Sequence, residues 1–155
     1  MKPFYAGIII NSFSSVLDSF STSKVLSTDI KIQRKQVMSC DITVYIGLVG
    51  DIDAKVYMSM NATTGMSLAS EMLGGMEMKE TDELVTSAVA EFCNMIMGTA
   101  CTRLNGQNLT VDITPPIVRA EQFEVTCEFE PSYSISIQLE DQRSIDFDVS
   151  LKNAG

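Results

Sequence analysis

The sequence predicts an α+β fold in which two long helices and one short helix pack on an antiparallel sheet of about six to seven strands. Two observations lead to this fold class. Apolar residues recur with the helical period in two separate parts of the chain, and segments that alternate every second residue lie before and after the second part. The predicted order is one helix, three strands, two helices, one strand and a three-stranded meander. Helices and strands therefore do not interleave one by one, as they do in parallel α/β sheets.

The composition bounds the size of the fold and its partners. The chain has 155 residues, of which 45% are hydrophobic, so one domain spanning residues 1–155 with a substantial core is expected. Eleven basic and 20 acidic side chains give a net charge of −9. Such a charge repels phosphate backbones and anionic lipids, so nucleic acid and membrane surfaces are not expected partners. No stretch approaches the roughly 20 apolar residues of a membrane span, and a soluble, cytoplasmic protein is expected.

The absence of histidine limits the possible chemistry. Ser-His-Asp and Cys-His nucleophile systems and histidine-based zinc sites are excluded. No two of the four cysteines form a CxxC pair, so neither a zinc ribbon nor a thioredoxin-like motif is predicted, and no metal site is expected on this chain. Reduced, buried thiols are favoured over a disulfide framework. These cysteines are Cys40, Cys93, Cys101 and Cys127.

The first elements are one helix and one strand. Apolar residues at helical spacing predict an amphipathic helix over residues 4–20. The β-branched, alternating segment over 25–37 predicts a strand in which Ile30 and Ile32 share one face and Lys31 lies on the polar face.

A hairpin and a short helix follow. Residues 42–49 and 52–60 flank Gly50–Asp51, a turn-forming pair. Every second residue from Ala54 to Met60 is apolar, which predicts a half-buried strand. Asn61 is suited to cap a helix that runs to about Leu73, where Gly74 and Gly75 end it.

The longest helix is predicted to begin after Thr81 or Asp82 and to run to Leu104. A strand near Leu109 to Val118 follows. The rest of the chain predicts three consecutive strands, which form the meander: Phe123–Phe129, Tyr133–Leu139 and Ile145–Leu151.

One face of the long helix carries a polar stripe. Ser87, Glu91, Asn94 and Gly98 follow one another at steps of four, three and four residues, which places them on one side of a 3.6-residue helix. A glycine inside a helix costs about 1 kcal/mol relative to alanine, which suggests that something approaches the backbone at Gly98. The alternative interpretation is a solvated face without a function. A second set of positions is predicted to face the sheet: Val85, Val89, Phe92, Ile96 and Thr99.

The stripe resembles a known signature. Ser87-x3-Glu91-x2-Asn94, with Gly98 and a proline about twenty residues beyond the asparagine, is similar to the motif of the CheC/CheX/FliY family of chemotaxis phosphatases. The resemblance covers nearly the whole chain, since three further segments resemble CheX: Asn11-Ser-Phe13, Ile46-Gly-Leu-Val-Gly-Asp51 and Glu71-Met-Leu-Gly74.

The resemblance is to CheX rather than to CheC. CheC-like proteins carry two Glu-x-x-Asn helices, whereas alignment of Asn11 with Asn94 places Ile8 where the first glutamate should stand. The resemblance therefore implies a CheC/CheX-like fold with one site, on the second long helix.

The resemblance implies a phosphatase that hydrolyses the aspartyl phosphate of a CheY-like response regulator. Asn94 would orient the attacking water, and Glu91 would bind a lysine of the regulator and align the helix. Ser87, Met95 and Gly98 would contact the partner, although core packing is the competing interpretation for Met95 and Met97. Mg²⁺ is expected in the partner receiver domain, and this chain is expected to form a homodimer by strand pairing at the sheet edge.

Two other interpretations remain open. A CheX-like domain could bind a receiver domain or a flagellar switch component as a scaffold without turnover. A structural dimer whose polar stripe has no partner is the third interpretation.

Overall fold

Three helices pack on an antiparallel sheet in the computed structural model, which describes residues 3–32, 36–79, 82–126 and 132–153. The elements, in chain order, are α1 (Pro3–Asp18), β1 (Val25–Ile32), β2 (Gln36–Met38), β3 (Ile42–Gly50), β4 (Asp53–Met60), α2 (Ala62–Met72), α3 (Glu83–Asn105), β5 (Val111–Ile113), β6 (Ile117–Arg119), β7 (Glu124–Thr126), β8 (Ser132–Leu139) and β9 (Ser144–Asn153).

The main sheet has seven strands, and its order explains the fold class. Its strands run in the order β1-β8-β9-β4-β3-β5, and β6 also pairs with β3. Every pairing is antiparallel. β2 and β7 form a separate two-stranded sheet. The predicted α+β class is confirmed, because three helices pack on one large antiparallel sheet.

The central hairpin agrees with the prediction. β3 and β4 pair from Ile42 opposite Met60 to Leu48 opposite Ala54. Alternate residues of β4 are at most 3% exposed, because this face of the sheet lies on the core. These residues are Ala54, Val56, Met58 and Met60.

The predicted strand over 25–37 was partly wrong. β1 ends at Ile32, residues 33–35 lie outside the described part of the chain, and β2 begins at Gln36. β1 is an edge strand that pairs with β8, and its residues from Leu26 onward are exposed on both faces. Ile30 is 46% exposed and Ile32 is 92% exposed, so the alternation does not mark a buried face here.

The predicted strand at 109–118 was also partly wrong. Two short strands replace it: β5 pairs with the end of β3 and β6 pairs with its beginning. Pro115 and Pro116 lie between them, and a proline has no N–H with which to continue a ladder.

The predicted three-stranded meander is reduced to two strands. β8 pairs with β9, as expected. β7 pairs with β2, more than 80 residues earlier, instead of with β8. Residues 127–131, including Cys127, lie outside the described part of the chain.

The helix ends follow local sequence signals. The Asn61 side chain accepts a hydrogen bond of 2.8 Å from the Thr64 amide, which caps α2. Gly74 and Gly75 after α2 have φ values of 75° and 92°, which glycine adopts without strain. Asp82 occupies the N-cap position of α3 without a side-chain capping bond, and Thr81 lies outside the described residues.

Aromatic contacts hold α1 and α3 together on the sheet. The Phe92 ring lies edge-on to Phe13 at 5.5 Å and to Phe20 at 5.4 Å. Phe13 also contacts Phe147 of β9, at 6.2 Å. Phe13, Phe92 and Phe147 are fully buried, and each ring contributes about 1.5–3 kcal/mol through burial. These contacts fix the position of α3 relative to α1.

The helix α3 is long and apolar enough to cross a membrane by length and composition alone, in contrast to the prediction from the sequence. Half of its apolar window is buried inside the fold, as in the core helix of a soluble protein. This is weak evidence for a membrane span, and cytoplasmic localisation stays a prediction.

Candidate active site on the long helix

The helix α3 has one buried face and one accessible face. Val85, Val89, Phe92 and Ile96 are at most 1% exposed, which confirms their predicted place on the core. Thr99 was assigned to the same face, and this was wrong. It is only partly buried, and its hydroxyl donates to the Met95 carbonyl at 2.9 Å.

The predicted polar stripe lies on the accessible face. Ser87 and Glu91 are exposed, and Asn94 and Gly98 are half-buried. A helix rises about 1.5 Å per residue, so Glu91 and Asn94 begin about 4.5 Å apart along the axis. Among the described residues, neither the Glu91 carboxylate nor the Asn94 carboxamide has a hydrogen bond or ion pair within the chain. Both side chains are therefore available to a partner on a helix that the core holds rigidly.

A groove between α1 and α3 contains Asn94. It has a volume of about 550 Å³. Residues of both helices line it: Ser15, Val16, Ser19, Asn94, Met95, Gly98, Thr99 and Thr102. The structure thus brings together Asn94, Met95 and Gly98 from the predicted set, whereas Ser87 and Glu91 lie on α3 outside the groove lining.

The two methionines beside Asn94 differ in position. Met97 is fully buried and belongs to the core. Met95 is half-buried, packs against the core and lines the groove. A flexible thioether at the groove surface suits an adaptable apolar contact.

Ser15 of α1 and Ser19, which directly follows this helix, are groove residues that the sequence did not reveal as part of the site. Neither Ser15 nor Ser19 was assigned to the site from the sequence. They are four residues apart and so share a side of the chain at the end of α1. Only the packing of Phe13 and Phe20 on Phe92 shows that this side faces α3.

The three thiols in the described part of the chain, Cys40, Cys93 and Cys101, are not activated as nucleophiles. Burial raises the pKa of Cys101 to about 11 and raises the pKa of Cys93 further. Burial, with Asp146, Asp41 and Asp148 nearby, also raises the pKa of Cys40. Since the thiolate is the reactive form, these shifts oppose a nucleophilic role for the three thiols. Within the described ranges, no three or more Cys, Asp or Glu side chains form a cluster that could hold a metal ion.

The polar stripe of α3 lies inside a region that matches a known family. Residues 42–138 match the family model described as "Chemotaxis phosphatase CheX". The chain belongs to the CheX family. It is 32% identical over 110 residues to the CheY-P phosphatase CheX of Thermotoga maritima, a match that covers 71% of each chain.

Solved structures share the CheX fold over almost the whole chain. A CheC-like superfamily protein from a Shewanella species is 18% identical, with a TM-score of 0.87 over 99% of this chain and 100% of that one. CheX from Borrelia burgdorferi, solved in a complex with CheY, BeF3 and Mg²⁺, is 19% identical, with a TM-score of 0.75 over 96% of this chain and 98% of that one. These structures support the CheC/CheX-like architecture, including α1 and β9, which lie outside the family match.

Proposed function

We propose that the chain hydrolyses the aspartyl phosphate of a CheY-like response regulator with Glu91 and Asn94. One observation carries the proposal: both side chains extend from the accessible face of a core-anchored helix, and no described residue of the chain binds them. Membership of the CheX family and the Thermotoga relative named as a CheY-P phosphatase support the same reaction.

Asn94 is proposed to position the attacking water. Its carboxamide oxygen accepts a hydrogen bond from water, and its NH₂ group donates to a phosphoryl oxygen. The water oxygen forms a bond to phosphorus while the bond from phosphorus to the aspartyl oxygen breaks. The aspartate leaves as a carboxylate, and both protons of the attacking water stay with the phosphate, which is released as H₂PO₄⁻. An acyl phosphate is already activated, so orientation of the water supplies most of what the reaction needs.

Glu91 is proposed to bind the partner rather than to act on the phosphate. Its exposed carboxylate lies one turn before Asn94 and suits an ammonium group of the receiver domain. Shielding from water at the interface strengthens this pair beyond the value of an exposed one. Ser87, Met95 and Gly98 would contact the receiver around these two residues.

The metal of the reaction is proposed to belong to the substrate. Mg²⁺ bound in the receiver neutralises charge on the phosphoryl group. The carboxylates of this chain would then contribute no metal ligand. The Borrelia complex contains Mg²⁺ together with CheX, CheY and BeF3.

The second candidate is a receiver-binding module without turnover. It shares the fold and the exposed stripe with the phosphatase. The half-buried carboxamide favours the phosphatase, because binding alone does not require a group that both donates and accepts beside the exposed Glu91.

Decay of a phosphorylated CheY-like receiver from the same organism, in the presence of Mg²⁺, tests the proposal. We expect the native protein to accelerate release of phosphate. Glu91→Ala should mainly raise KM, since it removes a binding contact, whereas Asn94→Ala should mainly lower kcat. Binding of the receiver without any acceleration by the native protein would favour the scaffold instead.

A homodimer is proposed through β1. This strand lies at one end of the seven-stranded sheet, and its residues from Leu26 onward are exposed on both faces. Such an edge is a template for pairing with a second copy. Light scattering should show a dimer for the native protein and for Leu73→Lys, and a monomer for the double variant Ile30→Lys, Ile32→Lys. A native monomer at tens of micromolar would contradict the proposal.

A further inference from the structure

The groove between α1 and α3 presents hydrogen-bond acceptors. Three of its hydroxyls donate to carbonyls of their own helix or its last turn: Ser19 to Val16 at 2.6 Å, Thr99 to Met95 at 2.9 Å and Thr102 to Gly98 at 3.1 Å. Each hydroxyl has a single proton, so their oxygens offer only lone pairs to anything that enters the groove. At these three positions a phosphate group would meet acceptors, whereas an N–H group would meet partners. The Asn94 carboxamide and the Ser15 hydroxyl are the lining groups that can also donate.

The electrostatics of the groove also favour a cation. Ser15, Val16 and Ser19 lie at the carboxyl end of α1, where the helix dipole places partial negative charge. α1 and α3 together carry three carboxylates and one guanidinium: Asp18, Glu83, Glu91 and Arg103. Asp18 pairs with Lys24 at 2.7 Å, which leaves Glu91 as the exposed carboxylate one turn from Asn94.

The floor of the groove is open at Gly98. A Cβ there would meet no atom outside its own stretch of helix within 4 Å. The absence of a side chain therefore leaves room for an extended side chain of a partner beside Asn94 within the volume of about 550 Å³.

We propose that this groove holds a cationic, hydrogen-bond-donating segment of the receiver domain, a Lys or Arg side chain with its neighbouring backbone N–H groups. Ser15 of α1 and Ser19, which directly follows this helix, form the second wall of the site and help to determine which receivers are accepted. The inference rests on the proposed function, and it adds a recognition role for α1, which carries no Glu-x-x-Asn motif.

Charge variants of Ser15 test the groove directly. Ser15 is exposed, and lysine is a good helix former near a helix carboxyl end, so Ser15→Lys should fold with unchanged or higher stability. A lysine there repels a cationic segment, and an aspartate attracts it. Ser144 is an exposed serine of β9, and Ser144→Lys and Ser144→Asp make the same changes of net charge elsewhere.

The readout is the affinity for the purified CheY-like receiver of the same organism, loaded with BeF3⁻ and Mg²⁺, at low ionic strength. We expect Ser15→Lys to weaken binding about fivefold or more and Ser15→Asp to tighten it about twofold, with the two Ser144 variants near the native value. The groove assignment is overturned if each Ser15 variant matches its Ser144 counterpart, or if Ser15→Lys binds more tightly than Ser15→Asp.

The rate of phosphate release, measured beside binding, distinguishes failure of the groove assignment from failure of the proposed function. If the native protein binds the receiver and accelerates phosphate release while the Ser15 variants match their controls, the groove assignment fails and the phosphatase assignment stands. If the native protein neither binds the receiver nor accelerates release, both fail.

Discussion

Asn94 and Gly98 lie one turn apart on the accessible face of α3, and a methyl group at Gly98 would meet no atom outside its own stretch of helix within 4 Å. The fold thus does not require this glycine, although a glycine inside a helix is unfavourable. We propose that the absence of a side chain at Gly98 lets the receiver domain approach the helix backbone beside Asn94.

Replacement of Gly98 by alanine should stabilise the protein by about 0.5–1 kcal/mol, because alanine is the better helix former. Gly50 is the contrasting control, since its φ is +119° and a Cβ there would lie 2.3 Å from the Thr110 carbonyl oxygen. Gly50→Ala should destabilise by about 1–3 kcal/mol. Urea unfolding measures both. If the two variants lost equal amounts of unfolding free energy, Gly98 would have a structural role.

In the variant Gly98→Leu, the leucine side chain should obstruct the groove while the fold stays stable. We expect an unfolding free energy within about 1 kcal/mol of the native value, since leucine suits a helix and its Cβ would have open space at this position. Affinity for the BeF3⁻-loaded receiver should fall about tenfold or more. Native affinity for this variant would remove Gly98 from the interface.

Arg143 ties the β8–β9 turn to α2. Its guanidinium contacts the carboxylates of Glu71 and Asp141 and donates to the Ser67 hydroxyl at 3.0 Å, and only 12% of its side chain is exposed. Arg143→Ala should cost about 1–3 kcal/mol in the free energy of unfolding, because Glu71 loses its charged partner. Lys24→Ala, which removes the exposed pair with Asp18, should cost less than about 1 kcal/mol. Urea unfolding measures both variants, and similar losses in the free energy of unfolding would contradict this prediction.

The same contact predicts a dependence of stability on pH. Hydrogen bonds from Arg143 lower the pKa of Asp141 to about 2. Because folding lowers this pKa, the contribution of Asp141 is present above the unfolded value of about 3.9 and is lost as pH falls toward 2. Asp141→Asn should therefore be less stable than the native protein at pH 6, and this difference should shrink between pH 4 and pH 2. A difference that stays constant over this range would show that the ion pair is not its source.

Local signals in the sequence predicted the parts of the fold that depend on local interactions. The Asn61 cap, the hairpin around Gly50 and the buried face of β4 follow from residue type and spacing. The stripe from Ser87 to Gly98 was predicted for the same reason, because a helix of known period places these residues on one side.

Long-range pairing decided the parts that the sequence did not reveal. Ile30 and Ile32 alternate as in a buried strand, yet β1 is an edge strand, because among the described strands it pairs only with β8. The sequence does not reveal this, since β8 lies about 100 residues later. The pairing of β7 with β2 has no local signal. In the site, Ser15 and Ser19 belong to the groove only because the aromatic contacts of α1 orient it toward α3.

Asn94 is proposed to position the attacking water, and Asn11 offers a matched control for its replacement. Asn11 is an exposed asparagine of the other long helix, and position 8, where a partner glutamate would stand, is a buried isoleucine. The measurement is single-turnover decay of the phosphorylated receiver with Mg²⁺, at concentrations that saturate binding of each variant. We predict that Asn94→Ala lowers the accelerated rate about 100-fold or more while Asn11→Ala keeps the native rate. A native rate for Asn94→Ala, or equal losses for the two variants, would contradict the account.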